Sequence, residues 1–174
     1  GRLALLEVHR FANTPLQTPA GLLWDLEKLF GEMEKGHKKA GELSLPISSI
    51  STDSWGLDYV LFDEEGELLP PTFHYRDTRT QRGVEAILSR VDWPFIFAET
   101  GIQFMPVNTL YQLASEKSER LAKARGRRGR GEAGNWDRFE VARAEKSLAS
   151  TFQCFNPIHS CWSKALLYAV AVPR

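Results

Sequence analysis

The sequence predicts an α/β domain, and three patterns in its first 121 residues support that prediction. Residues 3–11 (LALLEVHRF) form a mostly apolar run, which is typical of a strand buried on both faces. Residues 57–63 (LDYVLFD) alternate as a half-buried strand does and lead into the turn sequence DEEGEL. After Asp25 and again after residue 83, apolar side chains recur with helical spacing. Strands separated by helices indicate the α/β class.

The size and composition of the chain suit a soluble globular domain. Its 174 residues are 43% hydrophobic and 25% charged, which is enough to bury a core. The longest apolar stretch, residues 165–172, has eight residues, whereas a membrane span needs about 20. We therefore expect a cytoplasmic protein with no membrane segment. The only cysteines, Cys154 and Cys161, match neither a zinc site nor a disulfide framework.

Charge is distributed unevenly along the chain. The first 121 residues hold 12 Lys and Arg against 18 Asp and Glu, and the residues after them hold 10 against 4. Residues 123–134 (KARGRRGRGEAG) contain five basic residues and four glycines, a composition that cannot supply a core. We therefore divide the chain into a partial domain at 1–121, a basic linker at 122–134 and a tail at 135–174 without assigned elements. The core is expected within residues 3–121, and the linker is expected to be mobile and open to proteases.

The remaining elements are predicted from local signals. Residues 12–21 (ANTPLQTPAG) contain two prolines, so no regular element is expected there. Residues 47–52 and 68–75 suit short extended pieces. Four helices are expected, with these bounds: from an N-cap at Asp25 to near Gly41, after residue 83, between Asp92 and Gly101, and from Asn108 to Leu121.

Three segments resemble a known family in their order and spacing. They are LALLEVHRF at 3–11, STDSWGLDYVLFDEEGELL at 51–69, and HYRDTRT at 74–80 followed by TGIQFMPVNTLYQL at 100–113. Together they resemble the N-terminal part of the FGGY carbohydrate kinases, and within that family the L-rhamnulokinases. TDSWG combined with HYRD is the specific feature, because the NTLY stretch also resembles sibling kinases such as the L-fuculokinases. The resemblance runs from about residue 1 to about residue 121.

The resemblance implies a partial actin-like, RNase H-like domain, in which a mixed sheet is flanked by helices and the chain is truncated. Family members bind sugar and ATP in the cleft between two such domains. Their phosphate-binding turn, and their catalytic aspartate in a Ser-His-Asp-Thr stretch, are not found in this sequence. We therefore expect ATP and Mg²⁺ to be bound by segments absent from this chain, which alone would be inactive.

The activity that the resemblance implies is transfer of the ATP γ-phosphate to L-rhamnulose, giving L-rhamnulose 1-phosphate, with this chain contributing part of the sugar pocket. Two alternatives stay open. One is another FGGY ketose kinase, for example one that acts on L-fuculose. The other is a non-catalytic binding protein with a basic RNA-binding tail, although such a charge run is usually only solvated and no nucleic-acid partner is expected. Residues 122–174 would also fit the product of an altered reading frame.

The first candidate sugar-binding residues lie in TDSWG. Gly56 would let a polyhydroxyl ligand approach the backbone, Asp53 could accept hydrogen bonds from two hydroxyl groups, and Trp55 offers an apolar face. A strand bulge with a core tryptophan explains the same residues without a ligand, and the residues alone favour it. The resemblance reverses this preference, because Gly56 aligns with a sugar-contacting position of the family.

HYRD supplies the second group of candidates. His74, Arg76 and Asp77 are expected to hydrogen-bond sugar hydroxyls, and Tyr75 is expected to stack on the substrate. In the alternative, Asp77 caps the helix that follows and Arg76 pairs with a neighbouring carboxylate. Both interpretations can hold together. No catalytic role is assigned to His74.

Two neutral polar residues flank the apolar turn at 104–107. Gln103 and Asn108 would both suit sugar recognition. Capping of the helix that follows is the simpler account of Asn108.

Overall fold

The computed structural model describes residues 2, 4–51, 56–63, 65–124 and 153–171. The helices within these ranges are α1 Leu26–Glu42, α2 Thr80–Leu88, α3 Trp93–Thr100, α4 Thr109–Ala114, α5 Ser118–Ala124 and α6 Lys164–Ala171. The strands are β1 Leu16–Thr18, β2 Gly21–Leu23, β3 Leu61–Phe62, β4 Leu68–Leu69, β5 Phe155–Asn156 and β6 Cys161–Trp162. The α/β prediction is confirmed. In place of the predicted mixed sheet, however, the described strands form three antiparallel hairpins, because each strand pairs with its neighbour across its own turn.

The N-terminal segment differs most from its prediction. Residues 4–15 form no strand, and Leu5 is 91% exposed, so the strand predicted at 3–11 is wrong for the described residues. The run is apolar enough for a buried strand but lies against no sheet in the part of the chain described. The structureless loop predicted at 12–21 is wrong as well, since it holds β1 and Gly21, the first residue of β2, which has φ 134°. Phe73 bridges antiparallel to Leu23, which places the predicted extended piece beside this hairpin.

Helix α1 begins as predicted. The Asp25 carboxylate accepts a hydrogen bond from the Lys28 N–H at 3.0 Å, which satisfies a backbone donor of the first turn. The helix runs one residue past Gly41, and the Leu43 N–H bonds back to the Ala40 carbonyl at 3.2 Å. No residue of α1 is buried. Of its apolar stripe, Phe30 is exposed, and the other members are half-buried: Leu26, Leu29, Met33 and Ala40.

Helices α2 and α4 pack with their backbones in close contact. A β-carbon at Gly83 of α2 would lie 1.8 Å from the Tyr111 carbonyl oxygen of α4, so only a glycine permits this approach. Helix α3 is confirmed with both ends: Asp92 accepts from the Phe95 N–H at 3.0 Å, and Gly101 ends the helix with φ 66°.

The long helix predicted from Asn108 to Leu121 is two helices. The Gln112 carbonyl accepts hydrogen bonds from Arg79 Nη1 at 3.2 Å and from Ser115 Oγ at 2.6 Å. The Glu116 N–H, its expected helical partner, bonds to the Leu113 carbonyl instead. Side chains thus capture the carbonyl that a continuing α-helix needs, and α4 ends there.

The main core joins the middle of the chain to its C-terminal part. Six fully buried residues form its centre: Ile87, Ile96, Leu110, Tyr111, Cys154 and Leu166. A core confined to residues 3–121 is therefore a wrong prediction, because Cys154, just before β5, and Leu166 of α6 belong to it. Most of the linker predicted at 122–134 lies outside the described residues, so its mobility and the division at residue 121 stay predictions. Among the described helices, none is both long and apolar enough to cross a bilayer.

Candidate functional site

The backbone after TDSWG is held by helix α4. The Leu57 carbonyl accepts hydrogen bonds from Gln112 Nε2 at 2.9 Å and from Thr109 Oγ1 at 3.3 Å. Both donors belong to the NTLYQL segment, and Gln112 is fully buried. The NTLYQL segment therefore fixes the backbone that follows TDSWG in place.

HYRD contacts the next residue along, Asp58. The Asp58 carboxylate accepts a hydrogen bond from the Tyr75 N–H at 2.8 Å. Tyr59 donates its hydroxyl to Glu116 at 2.6 Å and accepts from Arg79 at 3.2 Å. Residues 56–59, HYRDTRT and NTLYQL, which all belong to segments that carry the family resemblance, are thus brought together.

Gly56 has φ 67°, in the left-handed region that glycine adopts without strain. Its backbone conformation therefore explains a glycine there, whatever it binds. Asp53 and Trp55 lie outside the described residues. Only the surroundings of Gly56 can therefore distinguish the two explanations of TDSWG, a strand bulge or a sugar pocket.

His74 is buried and stacked, with 6% of its surface exposed. Its ring lies 4.2 Å from the ring of Trp24 and 4.5 Å from that of Tyr75, measured between centroids. Nδ1 accepts a hydrogen bond from the Arg76 N–H at 3.0 Å, so the neutral ring carries its proton on Nε2. Burial lowers the pKa of His74. The ring thus acts as a neutral support for the turn.

The lowered pKa of His74 predicts a stability loss in mild acid. The unfolded histidine, with a pKa of 6.5, takes up a proton before the folded one does. The free energy of unfolding should therefore fall as the pH drops from about 6.5 through the lower pKa of the folded state. Urea denaturation at about pH 7.5 and pH 5.5 measures the free energy of unfolding under each condition. The difference between these two free energies should be smaller in His74→Gln than in the unchanged chain. His37→Gln on exposed α1 is the matched control, and an equal reduction there would contradict the assignment to His74.

Asp77 is committed to the scaffold. It is 5% exposed, and its two carboxylate oxygens accept hydrogen bonds from the Leu22 N–H at 2.6 Å and the Arg79 N–H at 2.9 Å. These bonds join β2 to the start of α2, and they favour the structural alternative over sugar contact. The N-cap of α2 is Arg79, because the helix begins at Thr80. The prediction that Asp77 caps this helix therefore placed the cap two residues too early.

Tyr75 and Arg76 are the accessible residues of HYRD. Arg76 is exposed, Tyr75 is half-buried, and the guanidinium carbon lies 5.1 Å from the centre of the tyrosine ring. No described carboxylate forms an ion pair with Arg76, so the predicted pairing is not found. Both side chains remain available to a ligand.

Asn108 and Gln103 have different surroundings. Asn108 is 1% exposed, and its amide donates to Gln153 Oε1 at 2.9 Å. Helix α4 begins directly after it, but the Asn108 side chain makes no capping bond, so that part of the capping prediction is wrong. Gln153, with φ 59°, also donates to the Ile102 carbonyl at 3.1 Å. Asn108 therefore ties α4 to the C-terminal part, whereas Gln103 is exposed.

A buried ionic cluster supports the site, and sequence reasoning missed it. Glu116 accepts from Arg79 Nη1 at 3.1 Å and from Arg120 Nη1 at 2.6 Å, and the side-chain exposures of the three are 3%, 6% and 14%. The Arg79 guanidinium also lies 4.0 Å from the Phe73 ring centre. Burial raises the pKa of Tyr59, which therefore stays a phenol. The only sequence signal was the spacing of Glu116 and Arg120, which is equally typical of an exposed helix pair.

Known proteins similar in sequence decide the family. A sequence profile of the "FGGY family of carbohydrate kinases, N-terminal domain" matches residues 7–174. The chain belongs to the FGGY family of carbohydrate kinases. The rhamnulokinase of Bacillus subtilis (strain 168) is 38% identical over 123 residues, covering 71% of this chain and 25% of the relative. That of Klebsiella pneumoniae subsp. pneumoniae is 44% identical over 114 residues, covering 64% and 23%.

The similarity of this FGGY chain also extends beyond residue 121. The rhamnulokinase of Mannheimia succiniciproducens is 33% identical over 175 residues, covering 99% of this chain and 36% of the relative. A resemblance limited to the first 121 residues is therefore a wrong prediction, and an altered reading frame after residue 122 finds no support. The chain spans about a quarter to a third of the length of these relatives.

Membership of a carbohydrate kinase family implies ATP use, usually with Mg²⁺. Within the described ranges, no group of three or more His, Cys, Asp or Glu could hold a metal ion.

Proposed function

We propose that this chain is part of an ATP-dependent kinase that phosphorylates L-rhamnulose to L-rhamnulose 1-phosphate, and that it forms one wall of the sugar pocket. The observation that carries the proposal is the meeting of three segments at residues 56–59: Leu57 bound by α4 and Asp58 bound by HYRD. The relatives named above are rhamnulokinases, which supports L-rhamnulose over L-fuculose.

The accessible groups of this wall would contact the sugar. Gly56 leaves room for a hydroxyl group to reach the backbone, Tyr75 offers a ring face, and Arg76 and Gln103 offer hydrogen-bond donors. Neutral and cationic donors of this kind suit a polyhydroxyl substrate.

The remaining candidates divide into two groups. Asp53 and Trp55 are proposed to contact the sugar because they directly precede Gly56. His74, Asp77 and Asn108 are at most 6% exposed, and the side chain of each makes at least one hydrogen bond to another protein group, so we assign them to the support of the wall.

Catalysis is proposed to depend on segments that this sequence does not contain, including those that bind ATP and Mg²⁺. A coupled assay of ADP formation with the 174-residue chain, L-rhamnulose and MgATP is expected to show no turnover above a heat-killed control. A chimera, here called the test kinase, would carry residues 1–174 in place of the matched segment of the Mannheimia succiniciproducens rhamnulokinase. It is expected to phosphorylate L-rhamnulose, with a higher kcat/KM than for L-fuculose.

Each of these three expectations can be contradicted separately. Turnover by the 174-residue chain alone would show that catalytic groups lie within it. A folded but inactive test kinase would contradict the assignment of this chain to the pocket wall. A preference of the test kinase for L-fuculose would favour the sibling ketose kinases.

A further inference from the structure

Asp58 joins the two parts of the proposed pocket wall, although no sequence signal assigned it a role. Its Oδ1 accepts a hydrogen bond from the Tyr75 N–H at 2.8 Å, across a separation of 17 residues. The acceptor belongs to the Gly56 segment, and the donor belongs to the HYRD turn.

The HYRD turn depends on this bond at one position. The Arg76 N–H is bound by His74 Nδ1 and the Asp77 N–H by the His74 carbonyl, both from within the turn. The Tyr75 N–H instead relies on Asp58. Loss of the carboxylate would leave a part-buried donor without this partner, which favours a different backbone position at Tyr75.

The acceptor itself is well anchored. Leu57, the residue before Asp58, is fixed by Thr109 and Gln112 of α4 through its carbonyl. The carboxylate therefore cannot easily follow a displaced turn. The distance between the Gly56 backbone and the Tyr75 ring is thus set by a rigid support, as a binding pocket requires.

We propose that Asp58 is a positioning residue of the sugar pocket: it holds the Tyr75–Arg76 turn at a fixed place relative to the Gly56 backbone. The identity of the sugar in this proposal rests on the proposed function. The hydrogen bond between Asp58 and Tyr75 does not depend on that function. The acceptor geometry of Asp58 carries this role rather than its charge, so asparagine can replace it and alanine cannot.

Kinetics of the test kinase provide the first readout. Asp58→Ala should raise the KM for L-rhamnulose about 5-fold, while kcat and the KM for MgATP stay within about 2-fold. Asp58→Asn should stay within about 2-fold throughout. Asp63→Ala is the matched control, because Asp63 likewise accepts backbone bonds, from Glu65 and Glu67 at 3.1 and 2.8 Å, but in the β3–β4 turn.

Amide hydrogen exchange in the 174-residue chain provides a readout that needs no activity. The Tyr75 amide should exchange about 10-fold faster in Asp58→Ala than in the unchanged chain and in Asp58→Asn. An unchanged Tyr75 amide or an unchanged sugar KM in Asp58→Ala would overturn the proposal, as would Asp58→Asn behaving like the alanine variant. If the parent test kinase folds but makes no L-rhamnulose 1-phosphate, the proposed function fails, and the Tyr75 amide still decides whether Asp58 holds the turn.

Discussion

Gly83→Ala should lower the free energy of unfolding by about 3 kcal/mol, at the upper end of the usual cost of overpacking. The new methyl carbon would lie 1.8 Å from the Tyr111 carbonyl oxygen and 2.8 Å from its carbon. Both are backbone atoms and cannot rotate away, so α2 and α4 must separate. The gain in helix propensity, about 1 kcal/mol, is too small to offset this. Urea denaturation of the purified chain measures the change.

The chain offers a matched control for this substitution. Gly31 lies inside helix α1, and a β-carbon there would meet nothing within 4 Å. Gly31→Ala should therefore raise the free energy of unfolding by about 0.5–1 kcal/mol, which is the helix-propensity effect alone. Equal behaviour of the two variants would show that α2 and α4 are not in backbone contact.

Local signals in the sequence predicted the elements that local bonds define. Asp25 and Asp92 cap their helices through backbone N–H groups three residues away, and Gly101 ends α3 with a positive φ. These bonds need nothing from the rest of the chain, so the spacing of a few residues is enough to predict them.

Three features of the fold depend on contacts between distant segments, and local signals in the sequence did not predict them. The break between α4 and α5 depends on Arg79, which comes from another helix start. The described part of the apolar run at 3–11 has the pattern of a strand but pairs with no described strand, and Cys154 and Leu166 join the core across a long separation. Hydrophobic pattern alone does not reveal which partner a segment meets.

The candidate site was predicted only in part, because its long-range partners were not visible in the sequence. The sequence pointed to the segments of Gly56, Tyr75 and Arg76, and the structure brings these segments together. It did not point to Asp58 or Glu116, because acidic residues beside a strand or within a helical pattern are usually solvated. Their roles follow from hydrogen bonds to distant segments.

Gly56→Val in the test kinase should lower kcat/KM for L-rhamnulose about 10-fold or more, a loss of about 1.4 kcal/mol in transition-state stabilisation. The valine side chain would occupy space where the backbone of the pocket wall is proposed to approach the sugar. The KM for MgATP should barely change, because ATP is proposed to bind elsewhere. Valine at φ 67° also strains the backbone, so a thermal melt must accompany the kinetics.

Gly101→Val separates strain from pocket loss. Gly101 has φ 66°, close to that of Gly56, and a β-carbon there would meet nothing within 4 Å. The two variants should therefore lose similar stability. The steady-state kinetics of L-rhamnulose phosphorylation by this pair test the pocket wall most directly: we predict weakened sugar use in folded Gly56→Val and unchanged sugar use in Gly101→Val. Unchanged sugar kinetics in a folded Gly56→Val variant would contradict the assignment of residues 56–59 to the sugar pocket.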